Sequence, residues 1–133
     1  MSYITDLSGA ITITPALTWQ ELKRRPHLRS LRLLLDEERT DTDEGYAARV
    51  TASVVTAHYE DGGKGRTYNG AGPLGDLQSL LGAYGETHEF TGCITCEGED
   101  PGDLWRLTVR GGRVAREEAR IVWPGDSAEG GGH

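Results

Sequence analysis

The sequence has no apolar run that approaches the roughly 18 residues required by a membrane-spanning helix. Its N-terminus also lacks the basic and then apolar order of a secretory signal, and the chain contains only 2 cysteines. Cysteines in a chain without an export signal are expected to be reduced thiols in the cytosol. We therefore predict a cytoplasmic protein that does not enter a membrane.

Positive charge is scarce, because 14 lysines and arginines face 21 aspartates and glutamates, giving a formal net charge of −7. Nucleic-acid binders usually carry net positive charge, and anionic lipid surfaces attract basic segments. The charge therefore argues against a nucleic-acid partner and against membrane adsorption. A length of 133 residues with 36% hydrophobic residues predicts one domain, residues 1–124, followed by a disordered glycine-rich tail, residues 125–133.

A junction between a strand and a helix can be recognised near the N-terminus. Isoleucine and threonine alternate over residues 11–14, which is the period of a half-buried strand. Thr18 and Glu21 then have the spacing of a capping box, in which each side chain accepts a hydrogen bond from the backbone amide of the other. Leu17 and Leu22 stand at the positions of a hydrophobic staple. This pattern predicts a folded unit of strand and helix.

The remaining elements follow from hydrophobic periodicity and from the positions of proline and glycine. Pro26 ends a helix that begins at Trp19, and Pro73 begins a second helix that runs to Tyr84. Residues 37–44 contain no apolar anchor and are interpreted as a mobile acidic connection. The predicted strands are residues 31–36, 46–59, 89–97, 104–110 and 114–123.

The order of these elements, β-α-β-β-α-β-β-β, predicts an α+β protein with a ferredoxin-like, or split βαβ, core. Two helices would cover one face of a mixed or antiparallel sheet. Gly111 and Gly112 would join the last two strands in a tight hairpin, because glycine readily adopts positive φ. An antiparallel sheet that curls around one or two helices in another strand order is the alternative.

A CxxC spacing occurs at Cys93 and Cys96. Such a pair can act in redox chemistry, and His58 and His88 could complete a zinc site with it. The motif lies inside a predicted strand, however, where residues three apart point to opposite faces. We therefore favour two structural cysteines, with Cys96 in the core, and predict no metal site.

Two polar segments lie between the longest strand and the second helix. Residues 58–61 (HYED) bring an imidazole and carboxylates together, which can serve acid–base catalysis but is also common at strand ends. Residues 62–72 are rich in glycine but lack the spacing of a phosphate loop, so we interpret them as a mobile loop. Residues 70–72 could still offer backbone amides to an anion at the start of the helix.

Trp105 and Trp123 lie on the last two predicted strands, where Arg106 would point away from the core. Tryptophan and arginine dominate the energetics of binding surfaces, so these residues could form a partner patch. A small core with many small side chains also needs large aromatic residues to fill it. We favour that second role for both tryptophans.

A basic cluster runs from the end of the first helix into the second strand and comprises Lys23, Arg24, Arg25, His27, Arg29 and Arg32. Cations near a helix C-terminus are stabilised by the helix dipole, which is a sufficient structural reason for the first three. An anion site or an acidic partner is the functional alternative. Acidic segments lie at residues 36–38, 41–44 and 97–103, and this separation of charge suits steered protein association as well as solubility.

Three stretches together resemble a known family: residues 9–19 (GAITITPALTW), residues 102–106 (GDLWR) and residues 120–125 (RIVWPG). The chain is similar to a family of small uncharacterised proteins of Streptomyces, related actinobacteria and their phages. The resemblance implies a standalone accessory protein, and one origin that it allows for this protein is a phage or a mobile element. It implies no catalytic residue and no cofactor.

The leading functional hypothesis is a non-enzymatic, cytoplasmic interaction or regulatory protein that binds a macromolecular partner, either another protein or a second copy of the chain. No set of catalytic residues, metal ligands or phosphate-loop residues outweighs its structural explanation, so we predict no catalytic site and no cofactor. The alternative is a protein that binds a small, nucleotide-like anion, with ligand-binding residues His58, Arg66, Arg106 and Trp123. An enzyme that uses His58, Glu60 or the cysteines is the third hypothesis.

Overall fold

The computed structural model describes residues 3–58, 64–68, 72–120 and 122–125. Those residues form seven strands and two helices. In chain order the elements are β1 (Ile4–Leu17), α1 (Trp19–Leu22), β2 (Leu31–Thr42), β3 (Gly45–Ala57), β4 (Lys64–Tyr68), α2 (Gly72–Tyr84), β5 (Glu89–Gly98), β6 (Leu104–Arg110) and β7 (Arg113–Glu118). The predicted tail at residues 126–133 lies outside the described residues.

All seven strands belong to one antiparallel sheet with the order β2-β3-β1-β5-β6-β7. The long strand β1 is the centre of the sheet and pairs with β5 along one side. On its other side, β4 pairs with residues 4–8 and β3 pairs with residues 10–17. Within the described part of the chain, β2 and β7 are therefore the ends of the strand order, and β4 also has a strand neighbour on one side only.

The core lies between one face of this sheet and helix α2. Alternate residues of β1, such as Leu7, Ile11 and Ile13, are fully buried, as are Leu77 and Leu80 of the helix. Helix α2 contacts both β2 and β7, which are opposite ends of the strand order. The sheet must therefore curve around the helix, so that one helix is enough to cover its concave face.

The prediction of a ferredoxin-like α+β fold is wrong. The connection from β1 to β2 carries only the four residues of α1, too short to cover a sheet face, so α2 is the one substantial helix of the described structure. The predicted glycine-rich loop also contains a strand, because β4 pairs with β1. The protein is a mostly antiparallel sheet with two short helices.

The prediction that residues 37–44 form a mobile connection is also wrong. Strand β2 continues to Thr42, turns at Asp43 and Glu44, and pairs with β3 in unbroken register from Leu35 to Thr42. These residues lack an apolar face because both sides of the ribbon are exposed. Backbone pairing with β3 holds them in a hairpin, and hydrophobic periodicity cannot detect such a hairpin.

Several local predictions are confirmed. The capping box of Thr18 and Glu21 is formed in both directions. Helix α2 ends at Tyr84, and Gly111 and Gly112 have φ values of 58° and 76° in the hairpin between β6 and β7. Trp105 is buried in the core, and the Arg116 guanidinium carbon lies 3.9 Å from its ring centroid.

Trp123 does not fill the core as predicted. Strand β7 ends at Glu118, well before the predicted residue 123, and the tryptophan lies beyond the sheet with 70% of its surface exposed. The prediction failed because it extended the alternation of β7 past its last ladder partner.

Glu21 connects the start of α1 to the buried side chain of His88. The His88 Nε2 atom lies 2.6 Å from Glu21 Oε2, and its Nδ1 atom lies 2.7 Å from the carbonyl oxygen of Pro15. The hydrogen bond to His88, followed by the one from the Thr18 amide, lowers the pKa of Glu21 below its usual 4.5. A carboxylate with a lowered pKa stabilises the fold above its unfolded-state pKa, and this contribution is lost as the pH falls through the folded-state value.

We expect Glu21→Gln to reduce the free energy of unfolding at neutral pH, by about 1 kcal/mol for the cap alone. The difference between wild type and variant should shrink as the pH falls from 4.5 to the lower pKa of the folded state, because the carboxyl is protonated first in the unfolded chain and then in the folded one. Urea unfolding at a series of pH values measures this difference. A constant difference across that range would show that the charge of Glu21 does not contribute.

Candidate binding site

A large cleft lies between the α1–β2 connection and the first half of β2, and has a volume of about 570 Å³. We call it the basic cleft. Its lining residues are Lys23, Arg25, Pro26, His27, Leu28, Leu31, Arg32, Leu33, Leu35 and His58. Half of these side chains are apolar, and the other half are lysine, arginine or histidine.

The electrostatics of the basic cleft differ from those of the whole chain. Aspartate and glutamate outnumber lysine and arginine by 21 to 14 overall, yet no described residue that lines the cleft is acidic. Lysine and arginine side chains that line one cleft attract an anion. The leucine side chains beside them offer apolar surface to the same ligand. The cleft is therefore suited to an anion that also carries apolar groups.

A buried carboxylate fixes the wall of the basic cleft. Asp76 of α2 accepts hydrogen bonds from the backbone amides of three consecutive residues, Arg29, Ser30 and Leu31, at 2.7–3.1 Å. The side chain of Ser30 is also 2.9 Å from Thr67 Oγ1 of β4. These contacts attach the α1–β2 connection to the helix, so the backbone beneath the cleft is held in one position.

Two residues of the cleft have structural roles of their own. Arg25 Nη1 donates a 2.9 Å hydrogen bond to the carbonyl oxygen of Leu22, which is the role predicted for a cation at the end of the first helix. His58 follows β3, and its backbone amide donates to the carbonyl oxygen of Ser30 at 2.7 Å. The hairpin register, with Leu31 opposite Ala57, thus brings His58 to the predicted basic cluster.

The basic cleft follows the outer edge of the sheet. Strand β2 has a strand neighbour on one side only in the described structure. Four residues of β2 line the cleft, namely Leu31, Arg32, Leu33 and Leu35, and the backbone amide of Leu31 donates to Asp76. Two leucines in this stretch are exposed to an unusual degree for an edge strand, Leu34 by 39% and Leu35 by 55%.

Beyond Leu35 the β2–β3 hairpin projects from the body of the protein, and we call residues 36–49 the acidic arm. Every residue of the arm whose exposure is described is exposed on both faces of the ribbon. Its acidic residues are Asp36, Glu37, Glu38, Asp41, Asp43 and Glu44. The arm continues the β2–β3 pairing of the sheet, so it is an exposed acidic extension of the sheet edge.

The residues predicted to bind a small anion are not gathered in one pocket. Arg66 of β4 lies 3.3 Å from Asp6, and Arg106 of β6 lies 2.7 Å from Glu117. Strands β1 and β5 separate the two arginines in the sheet order. Trp123 lies beyond β7, and of the four residues only His58 lines the basic cleft. Whether the other three bind a ligand stays a prediction.

Ion pairing on the outer strands shifts two ionisable groups. The hydrogen bond to Glu117 raises the pKa of Arg106, and the same contact lowers the pKa of Glu117. Arg110 contacts the same carboxylate at 3.1 Å. Arg106 is therefore already neutralised by a neighbouring strand.

The two cysteines lie on opposite faces of β5, as predicted. Cys93 is opposite Ala10 and Thr108 on the convex face, whereas Cys96 is opposite Leu7 and Trp105 in the core. Burial raises the pKa of the Cys96 thiol to about 12. Among the described residues, no group of three or more histidine, cysteine, aspartate or glutamate side chains could hold a metal ion.

The start of helix α2 is covered by neighbouring side chains. Ser30 and Thr67 lie directly against Gly72, where even an added methyl group would collide with Ser30 Oγ. Residues 70 and 71, the rest of the predicted anion loop, lie outside the described residues, as does Glu60 of the enzyme hypothesis. No helix in the described structure is long and apolar enough to span a membrane.

Comparison with known proteins identifies a family. No curated protein and no solved structure matches the chain. A model of a family of unknown function, DUF6205, matches residues 1–132, which is nearly the whole sequence. The chain therefore belongs to the DUF6205 family of unknown function.

Proposed function

We propose that this protein is a non-enzymatic interaction protein whose basic cleft binds an extended acidic segment of a protein. The observation that carries the proposal is the composition of the cleft, which is lined by five basic or imidazole side chains and five apolar ones, with no acidic residue among the described residues that line it. A cytoplasmic location, a regulatory role and an actinobacterial or phage origin belong to the proposal. Their support comes only from the sequence and its resemblance to the family.

The position of the cleft favours an extended segment over a compact ligand. A peptide that adds to the outer edge of β2 would form main-chain hydrogen bonds along that edge, which is a common mode of peptide recognition. Its acidic side chains would then meet Lys23, Arg25 and His27, and its apolar side chains would contact the leucines. Main-chain pairing supplies affinity in this arrangement, and charge complementarity selects the partner.

A fluorescent peptide of alternating glutamate and valine tests the proposal, with a lysine–valine peptide as its counterpart. We expect the acidic peptide alone to bind, with an affinity that falls as salt is added, because exposed charges are screened. Lys23→Glu should weaken binding by about fivefold to tenfold. Fluorescence anisotropy measures the affinity. The matched control is Arg113→Glu, which reverses the charge of an exposed residue on β7, at the other end of the strand order.

Equal binding of both peptides, or equal effects of the two charge reversals, would contradict the proposal. A small organic anion is the second candidate, since a volume of about 570 Å³ lies within the range of small-molecule sites. Naphthyl phosphate is a suitable probe because it combines an anion with an apolar ring. Binding of naphthyl phosphate without binding of the acidic peptide would favour this candidate.

A further inference from the structure

Two of the 4 histidines of the chain line the basic cleft. His27 belongs to the connection between α1 and β2, whereas His58 directly follows β3. Both residues are exposed. His88 is buried, and His133 lies outside the described residues. The exposed histidines of the described structure are therefore gathered in one cleft, although they are far apart in the sequence.

The other charged side chains that line the basic cleft are positive. Lys23 and Arg25 line it after the end of α1, and Arg32 lines it from β2. The carboxylate of Asp76 on α2 accepts hydrogen bonds from backbone amides and is not among the lining residues. Among the described residues, the cleft therefore places no carboxylate beside the two imidazoles, and an acidic ligand would supply one.

A carboxylate that binds beside an imidazole favours the protonated, positively charged ring. Histidine is the side chain whose charge ordinarily changes between pH 5 and 8. We propose that His27 and His58 take up protons when the basic cleft binds an acidic segment, so that the segment binds more tightly as the pH falls. The inference rests on the proposed function and adds the regulation of the cleft by pH.

The direction of the pH effect follows from the reciprocity of linked binding. If the bound segment strengthens the binding of protons, protons strengthen the binding of the segment by the same factor. Lysine and arginine stay positive and glutamate stays negative between about pH 8 and about pH 5.5. Over that range the charge of the ligand is constant, whereas the positive charge of the cleft increases through His27 and His58.

Anisotropy titrations between about pH 8 and about pH 5.5 test the proposal. The glutamate–valine peptide is blocked at both ends and carries a dye whose emission does not depend on pH, so that the peptide has no titrating group in this range. We expect its affinity to rise by about fivefold to tenfold at the lower pH, as two new exposed ion pairs form. Added salt should reduce the increase, because it screens exposed charges.

Histidine variants assign the effect to the two imidazoles. With His27→Asn and His58→Asn combined, we expect an affinity that does not change with pH, because asparagine does not titrate. With His27→Lys and His58→Lys combined, we expect tight binding at both ends of the range, because the positive charges are then permanent. Arg113→Glu is the matched control and should retain the wild-type pH dependence. Circular dichroism establishes that each variant is folded.

Calorimetry measures the proton uptake itself. Titrations in two buffers of different ionisation enthalpy give the number of protons taken up for each peptide bound. Near pH 6.5 we expect about half a proton for the wild type, since each imidazole is already partly protonated in the free protein. The double asparagine variant should take up none.

Equal affinity of the wild type at both ends of the range, without proton uptake, would overturn the linkage and leave the proposed function in place. An increase that persists in the double asparagine variant would also overturn the linkage, because other groups would then be responsible. Failure of the acidic peptide to bind at any pH would overturn the proposed function together with the linkage. Loss of both the increase and the proton uptake in the asparagine variant would support the proposal.

Discussion

Replacement of Asp76 by alanine is expected to lower the free energy of unfolding by about 3–5 kcal/mol. The carboxylate is buried and accepts hydrogen bonds from the amides of Arg29, Ser30 and Leu31. Without it, three backbone donors lose a charged partner, and the bonds from Ser30 and Leu31 are buried. Urea unfolding followed by circular dichroism measures the loss.

Two further variants make this result specific to Asp76. Asp76→Asn keeps one acceptor oxygen but removes the charge, so its stability should lie between those of wild type and alanine variant. Asp6→Ala is the control, because Asp6 is exposed and contacts Arg66 at the surface, where an ion pair contributes about 1 kcal/mol or less. Equal losses for Asp6→Ala and Asp76→Ala would contradict the role of the buried carboxylate.

Replacement of Gly92 by alanine is expected to cost about 2–4 kcal/mol. Gly92 of β5 has a φ of 114°, and a Cβ atom there would lie 2.5 Å from the carbonyl oxygen of Ala10. Gly9 of β1 makes the reciprocal approach, since its Cβ would lie 2.6 Å from the carbonyl oxygen of Cys93. The obstacles are backbone atoms of paired strands, so a rotamer change cannot relieve either contact.

A glycine in helix α2 serves as the control for Gly92→Ala, because alanine at that position is expected to stabilise the protein. Gly82 lies in α2 with open space around the position of an added Cβ atom. Gly82→Ala should therefore raise the stability by about 0.5–1 kcal/mol, because alanine has the higher helix propensity. Thermal unfolding of the two variants in parallel measures the contrast. If the Gly92→Ala variant were as stable as the wild type, strands β1 and β5 would be able to move apart without loss of free energy.

Local features could be predicted because they depend on neighbours in the sequence. The capping box needs only Thr18 and Glu21, and the spacing of Leu77, Leu81 and Tyr84 is enough to predict α2. The period of two around Cys96 likewise predicts its burial in the core. In each case the residues that determine the conformation lie within a few positions of one another.

Long-range features could not be predicted in this way. The sheet order depends on which strands meet, and α1 is too short to cover the crossover that a ferredoxin-like fold requires. Residues 37–42 have no apolar face, because their strand is held by backbone pairing with β3. Hydrophobic periodicity contains no information about a ribbon that is exposed on both sides.

The candidate site was accessible to sequence reasoning only in part. The basic cluster could be read from Lys23, Arg25, His27 and Arg32, which are close in sequence. His58 joins them through the register of the β2–β3 hairpin, and the wall of the cleft depends on Asp76, 45 residues beyond Leu31. Asp76 carried no distinguishing signal in the sequence, because one aspartate in a helix is usually a surface residue.

Because of where the two cysteines lie on β5, the lack of a disulfide between them does not show which cellular compartment the protein occupies. Residues three apart on an extended strand have Cα atoms about 10 Å apart, too far for a disulfide, and these two side chains leave opposite faces of β5. The folded chain cannot close an internal crosslink even in a strongly oxidising environment. The lack of an internal disulfide therefore follows from the geometry of the strand, and it does not distinguish one cellular compartment from another.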